Sequence, residues 1–151
     1  MERRKFIGFG FSAITVAALG TAAQANILTE HGKAFEAKKV DGALNSLYGS
    51  TKATEDDKAN LKVPDIAENG AAVPITVSSS LENVKTMAVL IDGNPRPLAV
   101  AWEVPAGTMP DFSTRIKMRQ TANVTLVVED NDGKLHTMTK QVKVTIGGCG
   151  G

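Results

Sequence analysis

The sequence predicts an all-β protein, a compact antiparallel sandwich led by a helical segment. Three observations carry the prediction. After Val63 the chain turns into short runs with period-two alternation. Asp130-Asn131-Asp132-Gly133 separates two of these runs as a hairpin signal. Proline- and glycine-bearing turns break up the rest at the short spacing typical of two packed sheets. There is no internal repeat.

From Glu30 to Tyr48, Val40, Ala43, Leu44, Leu47 and Tyr48 recur at three- and four-residue spacing, which predicts one amphipathic helix. Gly42 weakens it by about 1 kcal/mol relative to alanine, and Gly49 supplies the stop. STKATEDDKANLKVP is polar and reads as a surface connection with a short helical turn capped by Thr54. The predicted strands follow: Val73 to Val77, Val84 to Ile91, Leu98 to Glu103, Thr114 to Arg119, Asn123 to Glu129 and Lys134 to Ile146. In the last, Met138, Val142, Val144 and Ile146 share an inward face while Lys143 and Thr145 point out. Trp102, mid-strand, reads as a core plug. The expected organisation is a signal peptide over 1–25, a helical lead-in and polar connection over 26–62, the sandwich over 63–146 and a flexible arm over 147–151.

The N-terminal segment MERRKFIGFGFSAITVAALGTAAQAN has the parts of an export signal. Basic Arg3-Arg4-Lys5 precedes a mildly apolar run, and Ala23-Gln24-Ala25 gives the small-x-small pattern cut between Ala25 and Asn26. The arginine pair before Phe6 and Ile7 is similar to a twin-arginine signal, which exports folded proteins to the periplasm. Glu2, where Ser or Thr is common, departs from that pattern. Cleavage leaves 126 residues, one domain's worth. It also takes the net charge from +1 to −1, because the signal holds three cations and one anion. A near-neutral surface gives no reason to expect nucleic acid or a membrane as partner.

Export brings the chain into an oxidising compartment, where cysteines normally pair. Cys149 is the single cysteine, set within Gly147-Gly148-Cys149-Gly150-Gly151. The four glycines form a thin arm with maximal backbone freedom, which suits a thiol offered to the active site of another protein. No second thiol or CxxCH motif accompanies it, so neither a zinc nor a haem site is expected. Nothing in the neighbouring sequence lowers its pKa, so activation must come from the partner.

Other candidates are weaker. His136 shares the inward parity of the last strand and reads as packed or half-exposed; His31 reads as a surface residue of the helix. Arg115, Lys117 and Arg119 make a basic stripe on one strand face, a solvated face or a meeting point for an acidic partner. Asn123-Val124-Thr125 fits a glycosylation acceptor but falls within a strand, and VEDNDG lacks calcium-loop spacing. No catalytic residue and no metal ligand set is expected.

KVTIGGCGG, STRIKMR and IAENGAAVPITV together resemble the SoxY family of the periplasmic thiosulfate-oxidising system. The resemblance spans nearly the whole chain, and its most specific element is the C-terminal Gly-Gly-Cys-Gly-Gly. It implies an immunoglobulin-like sandwich paired with SoxZ, a signal-less subunit exported alongside. It further implies a non-enzymatic carrier without an intrinsic cofactor, whose Cys149 holds covalent thiosulfate and sulfane adducts. The c-type haem enzyme SoxXA would load it, the manganese hydrolase SoxB would release sulfate, and in some systems the sulfane dehydrogenase SoxCD would oxidise the remaining sulfur.

Other readings stay open on the residues alone. Gly150-Gly151 superficially fits a ubiquitin-like thiocarboxylate carrier, which needs ATP. An exported structural sandwich could use Cys149 for an intermolecular disulfide. A redox enzyme would want a resolving cysteine.

Overall fold

A computed structural model describes residues 31–147. Arg3, Arg4, Ala25, Asn26, Gly148, Cys149, Gly150 and Gly151 lie outside them. The described chain begins with α1, helical over 31–36, and α2 (Val40–Tyr48). Nine strands follow: β1 (Thr54–Glu55), β2 (Ala59–Lys62), β3 (Ile66–Ala67), β4 (Val73–Ser79), β5 (Val84–Ile91), β6 (Leu98–Glu103), β7 (Asp111–Ile116), β8 (Ala122–Asp130) and β9 (Leu135–Val144). One sheet runs β1-β9-β8-β5-β6, with β3 also on β9; the other runs β2-β4-β7. The fold is an all-β immunoglobulin-like sandwich with a helical layer outside the larger sheet.

The hydrophobic pattern dictates these layers. In β5, Met87, Val89 and Ile91 turn to the smaller sheet, while Ala88 and Leu90 turn to the helices. Both faces are covered, which is why MAVLI is continuously apolar rather than alternating. Val124, Leu126 and Val128 of β8 join the inner core, and Val127 joins Ala34, Ala43 and Leu44 outside.

The single helix expected up to Tyr48 is in fact two. Lys39 is extended (φ −133°, ψ 149°) and α2 starts afresh after it. Ala34 and Ala43 are both fully buried, yet nine residues of continuous helix would set them on opposite faces. The break lets both pack on the sheet. Gly49 stops α2 in the left-handed region, φ 64°, donating its N–H to the Asn45 carbonyl. Burial at the end of α2 pushes the Tyr48 hydroxyl up to about 12.

The polar connection folds differently from expectation. Thr54 opens β1, parallel to β9, with Thr54 opposite His136. The Asp56 carboxylate accepts the Lys58 N–H at 3.0 Å and turns the chain. β2 then crosses to the other sheet, antiparallel to β4, burying Ala59 and Leu61 with Asn60 and Lys62 outward. The chain returns as β3, again parallel to β9. One flank of the sandwich is thereby laced across.

β7 also sits earlier than the predicted Thr114 to Arg119. Its ladder with β4 ends at the Val73–Ile116 pair, because β4 begins at Val73. The alternation nevertheless runs on: Ile116 and Met118 are buried, Arg115, Lys117 and Arg119 exposed.

Candidate functional site

The place of interest is the end of β9, from which the chain runs toward Cys149. The ladder with β3 brings Ala67 level with Val144. The Thr145 N–H donates to the Ala67 carbonyl at 3.1 Å, and the Thr145 hydroxyl donates to the Glu68 carbonyl, also at 3.1 Å. Gly70 then makes the decisive link. Its N–H donates to the Ile146 carbonyl at 2.8 Å, and its carbonyl accepts the Met118 N–H at 2.7 Å. One backbone unit thus ties the root of the arm to the segment beyond β7. Ile146 is anchored through its backbone only. Its side chain is 68 % exposed, not inward as the alternation of β9 predicted, because the ladder with β8 stops at the Ala122–Val142 pair.

Gly147, the described member of the glycine set, has a specific steric role. A Cβ there would lie 2.2 Å from the Arg119 carbonyl oxygen. The backbone passes so close that glycine is required for approach as well as for conformational freedom.

The residues across from the root form a second clamp. The Asn94 amide donates to the Lys117 carbonyl at 2.8 Å, and its oxygen accepts the Arg119 N–H at 3.0 Å. Asn94 comes from the β5–β6 turn, signalled in the sequence by Asp92-Gly93. Met118, wholly buried, plugs the core between the two clamped residues. Lys117 and Arg119 therefore point outward beside the arm root. Neither Gly70 nor Asn94 was foreseen, since a backbone relay and a side chain bridging 23 residues leave no local pattern.

At the opposite end of β9 lies a polar network that the sequence reading also missed. His136 is buried, in keeping with its inward parity. Its Nδ1 meets Asp56 Oδ2 at 2.6 Å and its Nε2 meets Asp130 Oδ2 at 3.1 Å. The hydrogen bond to Asp56, seconded by that to Asp130, holds the imidazole pKa above its ordinary value against the effect of burial. Burial pushes the carboxyl pKa of Asp56 and Asp130 up. Hydrogen bonds from His136 and from backbone N–H groups outweigh it, so both sit below the ordinary value. A charged imidazolium donates from both nitrogens and keeps no lone pair for a metal. Among the described residues no group of three or more His, Cys, Asp or Glu side chains could hold a metal ion.

Trp102 is half-buried rather than a full core plug. It stacks on Phe112 with ring centroids 5.2 Å apart and planes 8° from parallel, joining the edge strands β6 and β7 across the open flank of the sandwich. His31 is partly exposed, with Nε2 at 3.7 Å from Glu103. Among the described residues no helix is long and apolar enough to cross a membrane.

This geometry defines a class: a small β-sandwich whose last strand is fastened through its backbone just before a glycine-framed cysteine. The match to the model of the sulfur oxidation protein SoxY covers residues 44–149, and the chain belongs to the SoxY family. The sulfur carrier protein SoxY from Chlorobium limicola f thiosulfatophilum is 35% identical, with a TM-score of 0.65, over 72% of this chain and 97% of that one. Superoxide reductases share the fold alone. The Ignicoccus hospitalis neelaredoxin matches at 14% identity and TM-score 0.52, over 58% of this chain and 80% of its own. The Nanoarchaeum equitans enzyme matches at 13% and 0.50, over 60% and 98%. No curated protein sequence matches the chain.

Proposed function

We propose that this protein is a periplasmic sulfur carrier that holds thiosulfate-derived sulfur on Cys149 and presents it to partner enzymes. The observation that carries the reading is that the family match runs through residue 149, onto the cysteine itself. The SoxY from Chlorobium limicola f thiosulfatophilum, described as a sulfur carrier protein, supports it. The signal with Arg3 and Arg4, cut between Ala25 and Asn26, accounts for export, and a SoxZ-type subunit is the expected companion.

The chemistry uses what a thiol does and a hydroxyl does not. Oxidative coupling joins the Cys149 sulfur to the sulfane sulfur of thiosulfate. The thiol proton is released and two electrons pass to a haem enzyme of the SoxXA kind. Water, at a SoxB-type hydrolase, then cleaves the bond between the sulfane sulfur and the sulfonate. Sulfate departs and Cys149 keeps a persulfide, the substrate for a SoxCD-type dehydrogenase where one operates. The adduct is cargo, and this chain is the substrate of those enzymes.

Intact mass spectrometry of protein purified without reductant from thiosulfate-grown cells tests this. Adducts of sulfane or thiosulfonate composition, absent from Cys149→Ala, are expected. A clean unmodified mass, or only a disulfide-linked dimer, overturns the carrier reading and leaves a structural cysteine.

A further inference from the structure

The arm root is electrically lopsided. On one side stand Arg115, Lys117 and Arg119, all exposed and on one face. The turn held by Asn94 adds Arg96, which together with Arg115 and Lys117 lines a groove of about 430 Å³ that also touches Phe35 and Leu98. Among the described residues none of these four cations forms an ion pair. Asp92, two residues before Asn94, points its carboxylate at the Asn123 N–H and side-chain amide, at 2.9 and 2.8 Å. On the other side, the chain that meets β9 brings exposed Asp65 and Glu68. Cys149 is two residues from Gly147, so at most about 7 Å of chain separates them. Gly147 itself lies against the Arg119 carbonyl, and extended backbone sets Lys117 about 7 Å further along. The sulfur is thus confined by covalent geometry to the neighbourhood of the cations.

We propose that Arg96, Arg115, Lys117 and Arg119 form a basic wall that receives the oxoanion end of what Cys149 carries, drawing small sulfur oxoanions toward the thiol. The inference rests on the carrier reading for the identity of the cargo, but the wall acts on any small anion approaching the thiol. Four cations about 10 Å away, screened over about 8 Å at physiological ionic strength and about 30 Å at 0.01 M, enrich a monoanion about two-fold and about five-fold respectively.

The test compares alkylation rates of Cys149 in the full mature chain by iodoacetate, a small anion, and iodoacetamide, its neutral counterpart. The ratio is normalised to that for a free peptide ending in the same Gly-Gly-Cys-Gly-Gly. A normalised ratio of about five at 0.01 M salt, falling to about two at 0.15 M, is expected. Arg115→Gln, Lys117→Gln and Arg119→Gln combined should return it close to one. Neutralising Lys52, Lys58 and Lys134, at the far end of β9, should leave it unchanged. A ratio of one in the wild type at low salt overturns the proposal, as does equal loss in the remote variant; the cations would then serve a protein partner or solvation. Neither reagent depends on thiosulfate chemistry, so a flat ratio sinks the wall alone. Missing mass adducts sink the carrier reading alone.

Discussion

Substituting Gly147 by alanine tests the arm root directly. The new methyl carbon would lie 2.2 Å from the Arg119 carbonyl oxygen, about 0.8 Å short of the 3.0 Å that real Cβ contacts keep. Arg119 cannot easily yield. Its N–H is held by Asn94 and its neighbour Met118 is both buried and bonded to Gly70. The movement falls on Ile146 and Gly147, and shifting by that amount along the 2.8 Å bond from Gly70 to the Ile146 carbonyl takes it out of hydrogen-bond range. Losing one such bond costs about 0.5–1.5 kcal/mol, or about a 2- to 13-fold rise in local opening. Native-state hydrogen exchange reads this at the Gly70 amide, which should exchange faster by that factor while Leu126 and Val127 amides in β8 keep their protection. An unchanged Gly70 amide would refute the claim that close backbone approach demands glycine here.

Two other outcomes follow from the packing. The His136 network predicts a pH-dependent contribution to stability, measured as the urea-unfolding difference between wild type and His136→Leu across pH. The imidazole pKa is raised on folding, so its contribution is full below about pH 6.5 and fades as pH climbs through the folded value. The Asp56 and Asp130 pKa values are lowered on folding, so theirs is full above about pH 4 and fades as pH drops through the folded values. The difference should peak between these limits at about 3 kcal/mol, the cost of stranding a buried partner; a flat profile would refute it. Trp102→Ala removes the stacked pair that closes the β6–β7 flank, and half-burial reduces the usual core penalty to about 2 kcal/mol. A loss below about 0.5 kcal/mol in chemical unfolding would mean the pair is ornamental.

Much of the fold was legible because burial imposes period two on long strands. Val84–Ile91 and Leu98–Glu103 stand where the alternation and the flanking Asp92-Gly93 and proline signals placed them. Such signals fade when a strand is short and its pairing is supplied from elsewhere. β2 buries only Ala59 and Leu61 amid charged residues, and β1 and β3 are two-residue contacts whose existence depends on β9, some eighty residues later. The helical break at Lys39 was likewise hidden, since either half alone has acceptable periodicity. For the site, the cysteine and its glycines were plain in the sequence as a pattern. What holds the arm root in place was not: Gly70 works through its backbone, and the Asp56–His136–Asp130 network joins residues 80 and 6 apart.

The connectivity of β9 has a mechanical consequence. β9 is flanked along one side by β8, over eight register positions from Ala122–Val142 to Glu129–Leu135, and on the other by β1 near its start and β3 near its end. A partner that grips the cysteine and draws it away pulls along this strand's axis. Hydrogen bonds running across a strand then share the load together, in shear, rather than parting one at a time as in peeling. A thiol that must be handed repeatedly between enzymes is tethered to the strand best able to bear tension without unravelling the domain behind it.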